Sequence, residues 1–99
     1  MNVAFQDKRL AAIETTESAS TKLPTEVIKA ARRKLTVIRA APDERTLRNW
    51  KSLNYKKLSG EMEGQRSLRL NGTWRMYLRL DETGGPPPTA LILDIRDDH

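Results

Sequence analysis

Residues 65–80 constrain this chain more than any other stretch, because two alternating segments flank an Asn-Gly pair. Gln65 to Leu70 alternates, Thr73 to Leu80 alternates again, and Asn71-Gly72 between them is the strongest short signal for a β-hairpin. Side-chain parity also selects the turn. A two-residue loop at Asn71-Gly72 pairs Leu70 with Thr73 and mixes apolar and charged side chains on both faces. A three-residue turn, with Gly72 at positive φ in a bulge, pairs Leu70 with Trp74 instead. Leu68, Leu70, Trp74, Met76, Leu78 and Leu80 then share one face, and Ser67, Arg69, Arg75, Tyr77 and Arg79 share the other.

Upstream of the hairpin the period is helical. Pro24 opens a helix, Glu26 sits where the positive end of the helix dipole favours a carboxylate, and Val27, Ala31, Leu35 and Ile38 form one apolar stripe. Ala41-Pro42 ends it, because a residue before proline disfavours the α region. Asp43 caps a further short turn through Leu47, after which Trp50 and Leu53 are expected core contacts. Asn2 to Phe5 reads as a short edge strand, and Lys8 to Glu17 as a short helix running into a loop. Beyond the hairpin, Gly84-Gly85 and Pro86-Pro87-Pro88 lead to a last strand in which Thr89, Leu91, Leu93 and Ile95 alternate toward the core. The expected architecture is one α+β domain over residues 1–99, with N-terminal helices packed on one face of a small, mainly antiparallel, twisted sheet. The other face of that sheet stays open and basic.

Composition narrows the chemistry. The chain has no Cys and a single His, His99, which removes thiolate nucleophiles, Cys-based zinc sites and any metal site that needs two imidazoles. Neither a metal nor another cofactor is expected. No apolar run approaches the roughly 18 to 20 residues of a membrane span, and Gln6-Asp7-Lys8-Arg9 stands where a signal peptide has its apolar stretch, so the expected setting is the cytoplasm, away from membranes. Net charge is +5, and between Lys29 and Arg79 fourteen basic residues face only four acidic ones. Such a concentrated positive field favours a polyanionic partner, nucleic acid before others.

The alternation decides which cations act together. Arg69, Arg75 and Arg79 on neighbouring strands place guanidiniums where they bind phosphates, with Tyr77 among them to stack on a base. Guanidiniums also stabilise the charge that gathers on a pentacoordinate phosphate during phosphoryl transfer. Lys56 and Lys57 are further candidates for contact with backbone phosphates, and Arg66 for nucleic-acid contact. Asp97-Asp98-His99 sets the one imidazole beside carboxylates, which favour its protonated form and suit it to act as a general acid. There is no Gly-rich phosphate loop followed by Lys-Ser/Thr, and no nucleophile elbow.

Three segments taken together, Leu58-Ser59-Gly60, Gly64 through Met76 and Asp94 through His99, resemble the HigB branch of the RelE/ParE toxin superfamily. The shared features are a Gly-containing turn, a serine-apolar-arginine-apolar-asparagine strand and turn, a tryptophan-arginine pair (Trp74-Arg75) and a terminal aspartate and histidine. The resemblance implies a RelE-like fold and the toxin of a type II toxin–antitoxin pair that cuts messenger RNA in the ribosomal A site without a metal. In that chemistry the ribose 2′-hydroxyl attacks its own 3′-phosphate, an arginine stabilises the developing charge and an acid protonates the leaving 5′-oxygen. Arg75 matches the phosphate clamp, His99 the acid and Asp97 the aspartate, while Lys56 stands where some members carry a basic or histidine side chain. Asp98 replaces the usual tyrosine and offers a second carboxylate as a base. Met62 stands where a basic residue is usual. The implied partners are the ribosome, mRNA and a helix-turn-helix antitoxin (HigA-like) in a toxin–antitoxin hetero-oligomer, with DNA reached only through the antitoxin. The alternative implied by the same fold is a protein that does not cleave RNA, either a ParE-like gyrase inhibitor or an inactive antitoxin-binding relative.

Overall fold

The hairpin forms with the parity its leucines require. In the computed structural model, which describes residues 1–98, β3 (Arg66–Asn71) and β4 (Trp74–Asp81) pair antiparallel with Leu68 opposite Met76 and Arg69 opposite Arg75. The turn departs from the expected three-residue form. Asn71 pairs with Trp74 across a two-residue Gly72-Thr73 loop, and the register shift falls between Arg69 and Asn71. Gly72 takes the left-handed conformation (φ +57°) that a tight turn needs, while the extra residue is absorbed at Leu70, whose side chain remains in the core.

Two further strands flank the hairpin and a third closes the far edge. β5 (Thr89–Asp97) pairs antiparallel with β4, β1 (Asn2–Phe5) pairs parallel with β5, and the two-residue β2 (Lys56–Lys57) pairs with β3, giving the order β1-β5-β4-β3-β2. The parity expected for β5 holds only at its end. Tyr77 lies opposite Asp94 but Leu78 lies opposite Ile92, so Leu93 is an extra residue, a β-bulge. Ile95 therefore faces the core as expected, whereas before the bulge Ala90 and Ile92 are fully buried in place of Leu91 and Leu93.

The helices cover one face of this sheet. Helix α1 (Lys8–Ala11) is capped by Asp7, and α2 (Thr25–Ala40) begins after Pro24 and stops at Ala41. Val27, Ala31, Leu35 and Ile38 are all buried, as are Ile28 and Ala30, and they pack with Leu68, Met76, Leu78, Ala90 and Ile92 in one core. The outer side of α2 is partly engaged, since Arg32 donates to the carbonyls of Ile13 (2.7 Å) and Thr15 (3.0 Å), and Arg39 pairs with Glu14. Asp43 caps α3 (Glu44–Asn49) by accepting from the Thr46 N–H at 2.9 Å. Leu47 and Leu53 take the inward positions on either side of Trp50, so that residue, expected in the core, is 47% exposed. Trp74 packs against the core edge, half-buried. No helix among the described residues is long and apolar enough to cross a membrane.

Candidate functional site

The sheet face away from the helices carries a row of three guanidiniums. Arg69, Arg75 and Arg96 lie directly opposite one another across β3, β4 and β5. Like charges in that relation are destabilising, so the row calls for local restraint and for an anion. Arg75 is restrained most firmly. Its Nε donates to the Ser67 hydroxyl at 3.0 Å and its Nη2 to the Asn54 carbonyl at 2.7 Å, which fixes the plane of the guanidinium and leaves its other N–H groups for a ligand. Ser67 is buried on the same face, and Asn54 ends the 3-10 turn Lys51–Leu53 in a left-handed conformation (φ +47°) that aims its carbonyl at Arg75. Asparagine is among the residues that tolerate that conformation.

The end of β5 is tied to the hairpin turn. Thr73 accepts the Asp98 N–H at its carbonyl (2.8 Å), and its hydroxyl bonds the Asp97 carboxylate. Asp98 in turn accepts from the Tyr77 hydroxyl at 2.8 Å. These ties assemble a shallow cleft of about 280 Å³ lined by Asn54, Lys56, Arg69, Arg75 and Asp98 with the turn residues Gly72 and Thr73. Cations surround one carboxylate, an arrangement suited to holding a phosphodiester next to a proton acceptor.

Tyr77 differs from the open stacking platform expected of it. It is only 4% exposed, the Arg96 guanidinium lies 4.0 Å over its ring, and its hydroxyl serves Asp98. Burial, reinforced by that carboxylate, pushes the phenol above its usual range and keeps it a donor. Arg79 points from β4 into a second cleft, of about 280 Å³, with Gln6, Gln65, Tyr77, Asp94 and Arg96. Two other candidates leave the open face altogether. Arg66 lies opposite Leu78 and bonds Glu44 of α3 (2.8 Å) on the helix side, where Tyr55 also donates to Glu44 (2.7 Å), and Lys57 is paired opposite Arg66. Burial alone raises the Glu44 carboxyl, but the bonds from Tyr55 and Arg66 outweigh it and hold Glu44 below its ordinary value. His99 lies outside the described residues.

The structure thus brings Lys56, Arg69, Arg75 and Asp98 together, with Asp97 beside them, and separates Arg66, Lys57 and Arg79. Sequence reasoning missed Asn54, Thr73 and Arg96. Only Arg96 left a signal, because it alternates with Ile95 in an apolar strand.

Residues 3–84 match the family model described as the RelE-like toxin of the type II toxin–antitoxin system HigB. That span includes Lys56, Arg69 and Arg75 and stops before β5. Among solved structures, a YoeB/ParE toxin from Agrobacterium tumefaciens superposes over 100% of both chains with a TM-score of 0.58 at 12% identity, a likeness of fold. No curated protein matches the chain.

Proposed function

The chain belongs to the HigB-like family of RelE-like toxins of type II toxin–antitoxin systems, and from that premise we propose that it is an endoribonuclease that cuts messenger RNA on the ribosome. A toxin of this type has an antitoxin partner, and RelE-like toxins are generally endoribonucleases. The observation that carries the reading is the convergence of Arg75, Arg69 and Lys56 with the Asp98 carboxylate in one cleft.

In this reading the scissile phosphate docks on Arg75, whose orientation is set by Ser67 and Asn54 before the substrate arrives. Preorganised donors of that kind stabilise developing charge without reorganising during the reaction. Asp98, steered by the Tyr77 hydroxyl and the Thr73 carbonyl, takes the proton of the ribose 2′-hydroxyl. The 2′-oxygen attacks phosphorus, the bond to the 5′-oxygen breaks, and the leaving oxygen takes a proton from His99, the acid implied by the family motif. The products are a 2′,3′-cyclic phosphate and a 5′-hydroxyl. A HigA-like helix-turn-helix antitoxin holds the toxin in a hetero-oligomer between these events.

The test is induction of the chain in cells lacking the antitoxin, with mapping of mRNA 5′ ends, and assay of the purified protein on mRNA with and without ribosomes. The expected result is ribosome-dependent cuts inside translated codons. Arg75→Ala lowers the cleavage rate by about 100- to 1000-fold, the usual effect of removing one preorganised donor, with the fold retained. Growth arrest with intact mRNA overturns the reading and favours the gyrase-inhibitor alternative, whose mark is DNA damage.

A further inference from the structure

Trp50 is the one large hydrophobic side chain left exposed among the described residues. A single apolar side chain at the surface is ordinary; its neighbours make this one informative. From Arg45 to Lys57 the chain carries five cations (Arg45, Arg48, Lys51, Lys56 and Lys57) and no acid, and all five are exposed. None of them forms an ion pair among the described residues, although Asp43 attracts Arg45 and Arg48, and Glu44 attracts Lys57, through space. The acids at hand are otherwise occupied: Asp43 caps α3, and Glu44 holds Arg66 and Tyr55. The shoulder also runs directly into the cleft. Trp50 accepts the Leu53 N–H in the 3-10 turn that ends at Asn54, the residue whose carbonyl aims Arg75, and Lys56 follows in the cleft wall.

An exposed indole among cations that form no ion pair, with no acid between Arg45 and Lys57, has the composition of a stacking platform for single-stranded nucleic acid. An acidic protein segment would meet the same charge but gains less from a flat indole open to solvent. We infer that the Arg45–Lys57 shoulder is a second RNA-binding surface, on which an unpaired base outside the scissile site stacks on Trp50 while Arg48 and Lys51 contact the flanking phosphates. This inference rests on the RNA-directed reading above and adds to it a contact outside the scissile site. The base has two sources, the message itself or ribosomal RNA.

The test measures equilibrium binding with cleavage suppressed by Arg75→Ala, in one arm to purified ribosomes and in the other to a single-stranded RNA oligonucleotide. Adding Trp50→Ala weakens binding by about 5- to 100-fold, the range of one lost base–aromatic stack, and Trp50→Tyr restores most of it. Arg48→Gln and Lys51→Gln each lower the slope of log affinity against log salt by about 0.7, whereas Lys29→Gln, which removes an exposed charge from α2, leaves it unchanged. Loss in the oligonucleotide arm assigns the base to the message, and loss in the ribosome arm alone assigns it to ribosomal RNA. Unchanged affinity in both arms overturns the inference, as does a Trp50→Ala defect confined to antitoxin binding. Because affinity is read without turnover, Trp50-dependent binding by a wild-type chain that cuts nothing defeats the nuclease reading and leaves this surface standing.

Discussion

The two faces of the sheet use the same residue types in opposite ways. On the helix side Arg66 is neutralised by Glu44, which also accepts from Tyr55, so a partly buried charge has its partner and α3 is bound to β3. On the open side Arg69, Arg75 and Arg96 stand opposite one another, Arg75 restrained by a serine hydroxyl and a backbone carbonyl and Arg96 set over an aromatic ring, with Asp94, 3.6 Å from Arg96, the one carboxylate ion-paired to the row among the described residues. The first arrangement stabilises the fold. The second raises its energy slightly and leaves hydrogen-bonding capacity unspent, which is the condition of a surface shaped for a polyanion.

That contrast can be broken most severely from the core. Leu68 is fully buried behind the guanidinium row. Leu68→Ala is expected to cost about 2 to 5 kcal/mol, a large share of the roughly 5 to 15 kcal/mol that holds a domain of this size together, and denaturant unfolding measures it.

The helix-side triad comes next. Glu44→Gln is expected to lower stability by about 1 to 3 kcal/mol through the loss of charge-assisted bonds to Arg66 and Tyr55. Its pH signature follows from the depressed carboxyl. The unfolded chain takes up the proton near the ordinary value of 4.5, above the folded value, so the stabilisation is complete above that pH and is lost as pH falls through the folded value. Thermal unfolding from pH 7 to pH 3 should therefore fall less steeply for Glu44→Gln than for the parent.

The open face gives the smallest change in stability and the opposite sign. Arg69→Ser relieves one like-charge opposition and is expected to raise stability by about 0.2 to 0.5 kcal/mol at low salt, with the gain shrinking as salt screens it. The same substitution is expected to weaken RNA binding. A loss of stability instead would show that the row is structural.

The strand pairing of the hairpin and the stripe of α2 were legible because each pattern sets its large apolar side chains on one face, whereas the turn was not, because a bulge at Leu70 keeps the same parity as a bulged turn. The parity that placed Arg75 on the open face also places Arg66, two residues before Leu68, on the helix side. The β5 bulge at Leu93 was not legible, since Leu91, Ile92 and Leu93 are all apolar and either phase of the strand buries one set. That bulge fixes where β5 ends relative to β4, and so the meeting of Asp98 with Tyr77 had no local sign. The hold of Asn54 on Arg75 was equally hidden, because it uses a backbone carbonyl that every residue possesses. Trp50 was misplaced because hydrophobicity alone sends an indole inward, and Leu47 and Leu53 had already filled the inward positions.

β2 ends the sheet with only two residues, both lysine. An edge so brief and so charged gives a foreign strand almost no ladder to extend and repels any cationic one, which guards a chain released from its antitoxin against clumping through its own sheets. Neutralising Lys56 would thus do more than dull the cleft. It would halve the charge that guards a free edge, so in the proposed reading the solubility of the liberated toxin and its hold on RNA share one side chain.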